Sequence, residues 1–243
     1  MQIEVLPSTG SPRTPYLEER LVIVIDVLRA TSTIVTALAN GCQAIIPVLT
    51  PQEALERRLT LPGSLLGGER DSLIIEGFDL SNSPFDYVPE KVGGRRVILT
   101  TTNGTRAIRD SIAAPMIWMA SFINMQSIVS AVLSEFETNK KLQGIVVYCA
   151  GTEERFDLAD TLCAGMFIDA LGPNVVLNDL GTAARMLYHS SEDQLVDIIR
   201  DSDHGKKLIS LGLEKDLVYC ATPNILPIVP VVQDGEIVWL TEQ

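Results

Sequence analysis

The sequence predicts an α/β fold, mainly parallel sheets with helices on both faces, and three observations carry that reading. Strand-like apolar runs alternate with helical patterns from end to end, several runs are wholly apolar, and three of them pass through a small turn directly into a helix. Alternating strands and helices require crossover connections. A strand without polar alternation needs cover on both faces, and together these describe a parallel sheet between helices.

Taken in order, IEVL (3–6), LVIVID (21–26), AIIPVL (44–49), SLLGG (64–68), RVILTT (96–101), MIWMAS (116–121), GIVVYCA (144–150) and NVVLN (174–178) read as strands. Helical patterns lie between them: STIVTALANG (32–41), TPQEALERRL (50–59), MQSIVSAVLSEFE (125–137), FDLADTLCAGMFIDAL (156–171) and TAARMLYHS (182–190). Asp201-Ser202-Asp203 offers a cap for the helical stretch that His204-Gly205 opens. Near the end, Gln233-Asp234-Gly235 between PIVPVV and EIVWL reads as a tight hairpin, so an antiparallel edge is expected there. The polar stretch from Glu135 to Gln143 is the nearest thing to a seam, and polar loops of this kind occur inside single domains. One unit over 1–243 is expected, two-lobed at about 1–140 and 141–243 if the seam is real.

The chain has 243 residues, 46% of them hydrophobic, enough to bury a sizeable core, and a formal net charge of -12. No block of Lys and Arg compensates that charge, which excludes a nucleic-acid partner and an anionic membrane surface. An anionic substrate meets an unfavourable overall field, so its site needs local Arg or a divalent metal. No charged leader precedes an apolar run at the N-terminus and no run approaches spanning length, so a cytoplasmic protein is expected. Cys42, Cys149, Cys163 and Cys220 are scattered without a paired spacing, as reduced thiols are. With only His189 and His204 available, any metal is expected to be a hard ion held by oxygen.

Chemistry concentrates in the strand-to-helix turns, because a helix start leaves backbone N–H groups free to face an anion. Asp26 ends LVIVI and is followed by Arg29, Thr31, Ser32 and Thr33, so a carboxylate can hold a cation while Arg29 and the hydroxyls face the anion. Capping of the next helix by Asp26 or Thr31 explains the same residues. Thr101-Thr102-Asn103-Gly104-Thr105 can cradle phosphate or sulfonate oxygens, or simply form an Asn-Gly tight turn. Gly67-Gly68-Glu69-Arg70 sets a carboxylate beside a guanidinium at a strand end. Cys149 to Arg155 has the spacing of cysteine-dependent phosphatases, but Glu153 and Glu154 inside that loop would repel phosphate, and Cys149 reads better as a buried strand residue. Asp160 and Asp179 lie near helix starts, where a metal ligand and a residue favoured by the helix dipole look alike. His204 fits an acid or substrate contact as well as an exposed residue, and His189 reads as a surface residue.

Taken together, VIVIDVLRATST, GGER, IEGFDLSNSP, TTTNGT, CAG, DTLCAG and the late His204-Gly205 with Cys220 resemble the 2-phosphosulfolactate phosphatase family, in the family's order and over nearly the whole chain. The resemblance implies an α/β fold peculiar to that family. It also implies a Mg²⁺-dependent phosphatase that converts 2-phosphosulfolactate to 3-sulfolactate on the way to coenzyme M. Carried over, it points to Asp26, Arg29, Glu69, Arg70 and His204 as catalytic, with Asp26, Glu69 and Asp160 holding the metal. Ser32, Asn82, Ser83, Thr101, Thr102, Asn103, Gly104 and Thr105 are the substrate-binding set. The family often has an acidic residue where this chain has Ala159.

Attack by metal-activated water is the expected route, since Leu28 stands where aspartyl-phosphate phosphatases carry a second Asp. A non-catalytic binder or sensor of phosphorylated or sulfonated small acids is the alternative. The expected partner is a small anionic molecule, with assembly into a homo-oligomer left open.

Overall fold

The run at 20–25 forms the strand around which the molecule is built, and all six residues of β2 (Arg20–Ile25) are buried. The computed structural model describes residues 1–10 and 17–240. Within them the other strands are β1 (Gln2–Leu6), β3 (Ala44–Pro47), β4 (Leu65–Arg70), β5 (Leu73–Ile74), β6 (Arg96–Thr100), β7 (Met116–Ala120), β8 (Gly144–Cys149), β9 (Val176–Leu177), β10 (Pro230–Gln233) and β11 (Glu236–Trp239). The helices are α1 (Ala30–Ala39), α2 (Pro51–Thr60), α3 (Pro89–Val92), α4 (Gly104–Asp110), α5 (Met125–Thr138), α6 (Leu158–Ala170), α7 (Asp179–His189), α8 (Leu195–Asp201), α9 (Asp203–Ser210) and α10 (Glu214–Cys220).

Side chains alternate across a strand, so β2 feeds two cores. Leu21, Ile23 and Ile25 join one cluster with Ile128 and Val132 of α5, Leu162 and Phe167 of α6, Leu208 of α9 and Leu217 of α10. Val22 and Val24 join another with Ile34 and Val35 of α1, Ala107 and Ile108 of α4, and Val97 and Leu99 of β6. A smaller cluster sets Ala54 of α2 against Ile46, Leu66 and Ile98. Helices on both faces of a mostly parallel sheet are therefore present, as the sequence predicts.

The strands run in the order β5-β4-β6-β3-β11-β10-β7-β2-β8-β1-β9. One parallel block holds β4, β6 and β3, and a second holds β7, β2, β8, β1 and β9. The β10–β11 hairpin joins them through antiparallel pairings on each side. This corrects the expectation of an antiparallel edge. The turn is the tight one expected, with Asp234 at φ 52° and Gly235 at φ 81°. Its strands, however, sit mid-sheet, because Val231 and Ile237 are apolar and buried and pair with Trp118 and Ile45. NVVLN shrinks to the two-residue edge strand β9, since the Asn178 side chain bonds the backbone of Val5 and Gly181 and starts α7 instead.

Three antiparallel steps separate β3 from β7, so the two parallel blocks run in opposite senses. A flat sheet would send their carboxyl ends to opposite edges. Val22, Val24, Val97 and Leu99 instead share one core with α1 and α4, so the sheet folds over on itself there.

Helices α6 and α7 pack at Gly165, where an added Cβ would lie 2.2 Å from the Ala184 carbonyl oxygen and 2.7 Å from Tyr188 Cβ. Gly165→Ala should therefore destabilise the protein by roughly 1–3 kcal/mol through overpacking, read as a lowered urea midpoint with an unchanged slope.

Candidate active site

Loops after β2, β4, β6 and β8 meet at a cavity of about 60 Å³ lined by Asp26, Leu28, Arg29, Glu69, Asp71, Ser72, Asn82, Thr102, Asn103, Thr152, Glu153, His204 and Lys207. A single water needs roughly 10–15 Å³, so the cavity has room for a group as large as phosphoryl.

Asp26 serves both readings of its turn. Its Oδ1 accepts from the Ala30 N–H at the start of α1, and the Thr31 hydroxyl closes the turn on the Asp26 backbone. Its carboxylate also faces the cavity. Burial pushes the Asp26 carboxyl up to about 6, against the attraction of nearby His204 and the Ala30 N–H, while Asp157 and Glu69 add to the rise. Gly104 is needed for this approach, because a Cβ there would stand 2.5 Å from Ala30 Cβ and 2.7 Å from Asp26 Oδ2.

Arg29 is buried and anchored at one side. Its guanidinium donates to Asp216 of α10 and to the Ser72 carbonyl at 2.7 Å, while Ser83 donates to the other Asp216 oxygen at 2.8 Å. Glu69 is held by the N–H and hydroxyl of Thr102 on Oε1 and by the Ser72 N–H on Oε2. Ser72 follows Asp71 in the two-residue turn between β4 and β5, and both have positive φ (54° and 68°) without a glycine. The Asn82 carbonyl is fixed by the Thr33 hydroxyl, and among the described residues its buried side-chain oxygen has no hydrogen-bond partner. A buried, unpaired amide oxygen lining a cavity is a group that a ligand completes.

His204, on α9, meets Asp157 at 2.8 Å through Nδ1, and the Thr152 hydroxyl bonds both the Asp157 carboxylate and this ring nitrogen. Asp157 also caps α6 by accepting from Ala159 and Asp160 N–H. Burial opposes its charge, yet the His204 and Thr152 hydrogen bonds hold its carboxyl below the usual carboxylate range. An ionised Asp157 requires Nδ1 to carry a proton, so Nε2 is left for the cavity.

Of the sequence-predicted residues, Asp26, Arg29, Glu69, Asn82, Thr102, Asn103 and His204 come together at the cavity. Ser83 acts behind it on Asp216. Thr101 and Thr105 bond one another and shape the loop, while Gly104 supplies clearance. Ser32 is buried against the Val27 carbonyl and Ser121. Arg70 turns away to the Leu49 carbonyl and Thr100. Asp160 lies outside the lining, with one oxygen taking the Val27 N–H and the other the Gly151 N–H. It ties the loops after β2 and β8 together, and burial raises its carboxyl well above the usual range. Among the described residues no three His, Cys, Asp or Glu side chains form a metal-holding group, so Asp26, Glu69 and Asp160 are not assembled as one. Cys149 is buried at the end of β8, with its thiol raised by burial and by Asp160, which leaves it inert. Asp71, Ser72, Asp157, Thr152, Lys207 and Asp216 line the cavity or support its lining and escape the sequence reading, which names Glu153, also in the lining, only as a charge that would repel phosphate. Asp157, directly before an apolar helical run, carried the one available signal, that of a helix cap.

A model of the family described as 2-phosphosulpholactate phosphatase matches residues 9–235. A probable 2-phosphosulfolactate phosphatase of Symbiobacterium thermophilum is 42% identical over 234 residues, 94% of this chain and 98% of that protein. One of Thermotoga petrophila is 43% identical over 96% of each chain. One of Clostridium beijerinckii is 36% identical over 98% of this chain and 99% of its own.

Two outcomes follow from the buried charges. Asp216→Ala should cost about 3–5 kcal/mol because it strands the Arg29 charge, and the double variant Arg29→Met/Asp216→Ala should recover part of that loss in urea unfolding. A carboxyl raised by folding is stabilising while protonated and loses that contribution as pH rises through its folded value near 6. Metal-free Asp26→Asn should then be more stable than the parent at pH 8 by roughly 2–3 kcal/mol, with the gap closing as pH falls from 6 toward 4.

Proposed function

Because the chain belongs to the 2-phosphosulpholactate phosphatase family, a family of phosphoric monoester hydrolases, we propose that its cavity hydrolyses 2-phosphosulfolactate to 3-sulfolactate and phosphate with the help of Mg²⁺. The observation that carries this reading is the convergence of Asp26, Glu69, Arg29, Asn82 and His204 on one phosphoryl-sized space.

The donor chemistry fits Mg²⁺. Asp26 and Glu69 present carboxylates and Asn82 a buried, unpaired oxygen, all hard donors, and Mg²⁺ ordinarily takes one or two carboxylates with waters and substrate phosphate oxygens. Asp26, Glu69 and Asn82 would hold it, and a cation there relieves the burial that raises Asp26. When bound, the ion supplies charge neutralisation at the phosphoryl oxygens and a more acidic water.

The chain's own residues do the rest. Arg29, held on one side by Asp216 and Ser72, presents fixed positive charge to the equatorial oxygens without reorganising. Leu28 lines the same space and offers no second acid for an aspartyl-phosphate route. Asp157 and Thr152 orient His204 so that, with the ring cationic, Nε2–H can be given to the departing alkoxide oxygen.

Phosphate release from 2-phosphosulfolactate should require Mg²⁺ and stop with excess chelator. Release that persists in chelator contradicts the metal's part, and binding without release contradicts the hydrolase. Asp26→Asn should lower kcat/KM by about a hundredfold or more, whereas Cys149→Ser should retain full turnover.

A further inference from the structure

We propose that Lys207 binds the second acidic group of the substrate, its sulfonate or carboxylate, and so selects phosphate monoesters that carry such a group. This rests on the hydrolase reading for its substrate, and on three observations for its residue.

The first is space. In the hydrolase reading the inner cavity of about 60 Å³ takes the phosphoryl group, which leaves the rest of the ester to extend toward its opening. A cleft of about 460 Å³ adjoins it and shares Thr152, Glu153, His204 and Lys207 as a common wall. An ester with its phosphoryl group inside therefore passes this wall.

The second is charge. Asp26, Glu69, Asp71 and Glu153 face the inner cavity, while Asp201 and Asp203 line the outer cleft, so a further anion is tolerated only against an available cation. Arg29 is committed to Asp216 by a buried hydrogen bond and His204 to Asp157 by a part-buried one. Lys207 forms a long ion pair with Glu153 Oε1 at 3.9 Å, beyond hydrogen-bond distance, while Glu153 Oε2 takes the Arg155 guanidinium at 2.9 Å. Among the described residues lining the inner cavity, Lys207 is the cation whose carboxylate neighbour lies beyond hydrogen-bond reach.

The third is position. His204 and Lys207 lie three residues apart on α9 and so share one face. If His204 serves the leaving oxygen, Lys207 is one helical turn away, where an acid group on a neighbouring carbon falls.

The test compares the parent with Lys207→Gln and Lys207→Arg. Lys207→Gln should bind 3-sulfolactate, measured by calorimetry, about tenfold or more weakly, as loss of one hydrogen bond to a charged group dictates. Its KM for 2-phosphosulfolactate should rise by a similar factor with kcat within about twofold, and Lys207→Arg should restore both. Turnover of methyl phosphate, which has no second acid group, should fall by a clearly smaller factor, and an unchanged urea midpoint shows that the variant is folded. Unchanged 3-sulfolactate affinity, or an equal loss on methyl phosphate, overturns the inference. Absence of phosphate release by the parent overturns the hydrolase reading instead, while the calorimetric comparison still decides the role of Lys207.

Discussion

The site exists because a sheet made of two opposed parallel blocks folds over on one apolar cluster. Strand β2 belongs to one block and β6 to the other, and their carboxyl ends would be far apart if the eleven strands lay flat. Burying Val22 and Val24 with Val97 and Leu99 around α1 and α4 brings them together. The apolar area removed from water there is what holds Asp26 against the start of α4, with Gly104 giving the clearance. The β10–β11 hairpin is the joint that permits the fold-over, meeting each block through a single bridging residue pair.

Electrostatics then sets a conflict within the site. A protein of net charge -12 must receive a multiply charged ester, and it does so with cations that each already have a carboxylate partner or neighbour. Asp216 keeps the buried Arg29 aligned, and Asp157 orients His204. Such pairing lowers the penalty of burial without removing the directional donors that face the cavity. Among the described residues Asp26 has no cation hydrogen-bonded to it, and burial pushes its carboxyl up to about 6. Its cost in the empty protein is the counterpart of its use when a cation is present.

Much of this was legible in the residues. The uniform apolarity of LVIVI and GIVVYC fixes internal parallel strands, and the turns after Ile25 and Thr100 line the cavity through Asp26, Leu28, Arg29, Thr102 and Asn103, whereas the hydroxyls of Thr31, Ser32 and Thr33 are taken up by neighbouring backbone and Ser121. The position of the hairpin was not legible, because its neighbours are distant in the chain and a tight-turn signal says nothing about what flanks it. Asp160 is ambiguous for a related reason. A carboxylate in the first turn of a helix can face a ligand or tie down loops, and here its oxygens take the Val27 and Gly151 N–H groups. Asp71-Ser72 forms a positive-φ turn without the glycine that would announce it, and Asp216 meets Arg29 across 187 residues of chain. In each case the missing information is tertiary.

The most direct test of the account is a crystal structure grown with Mg²⁺ and tungstate, an oxyanion of phosphate shape. The account predicts the oxyanion in the cavity against Arg29 and His204, with the cation between it and Asp26, Glu69 and Asn82. An oxyanion bound at full occupancy elsewhere, with this cavity holding only water, would contradict it.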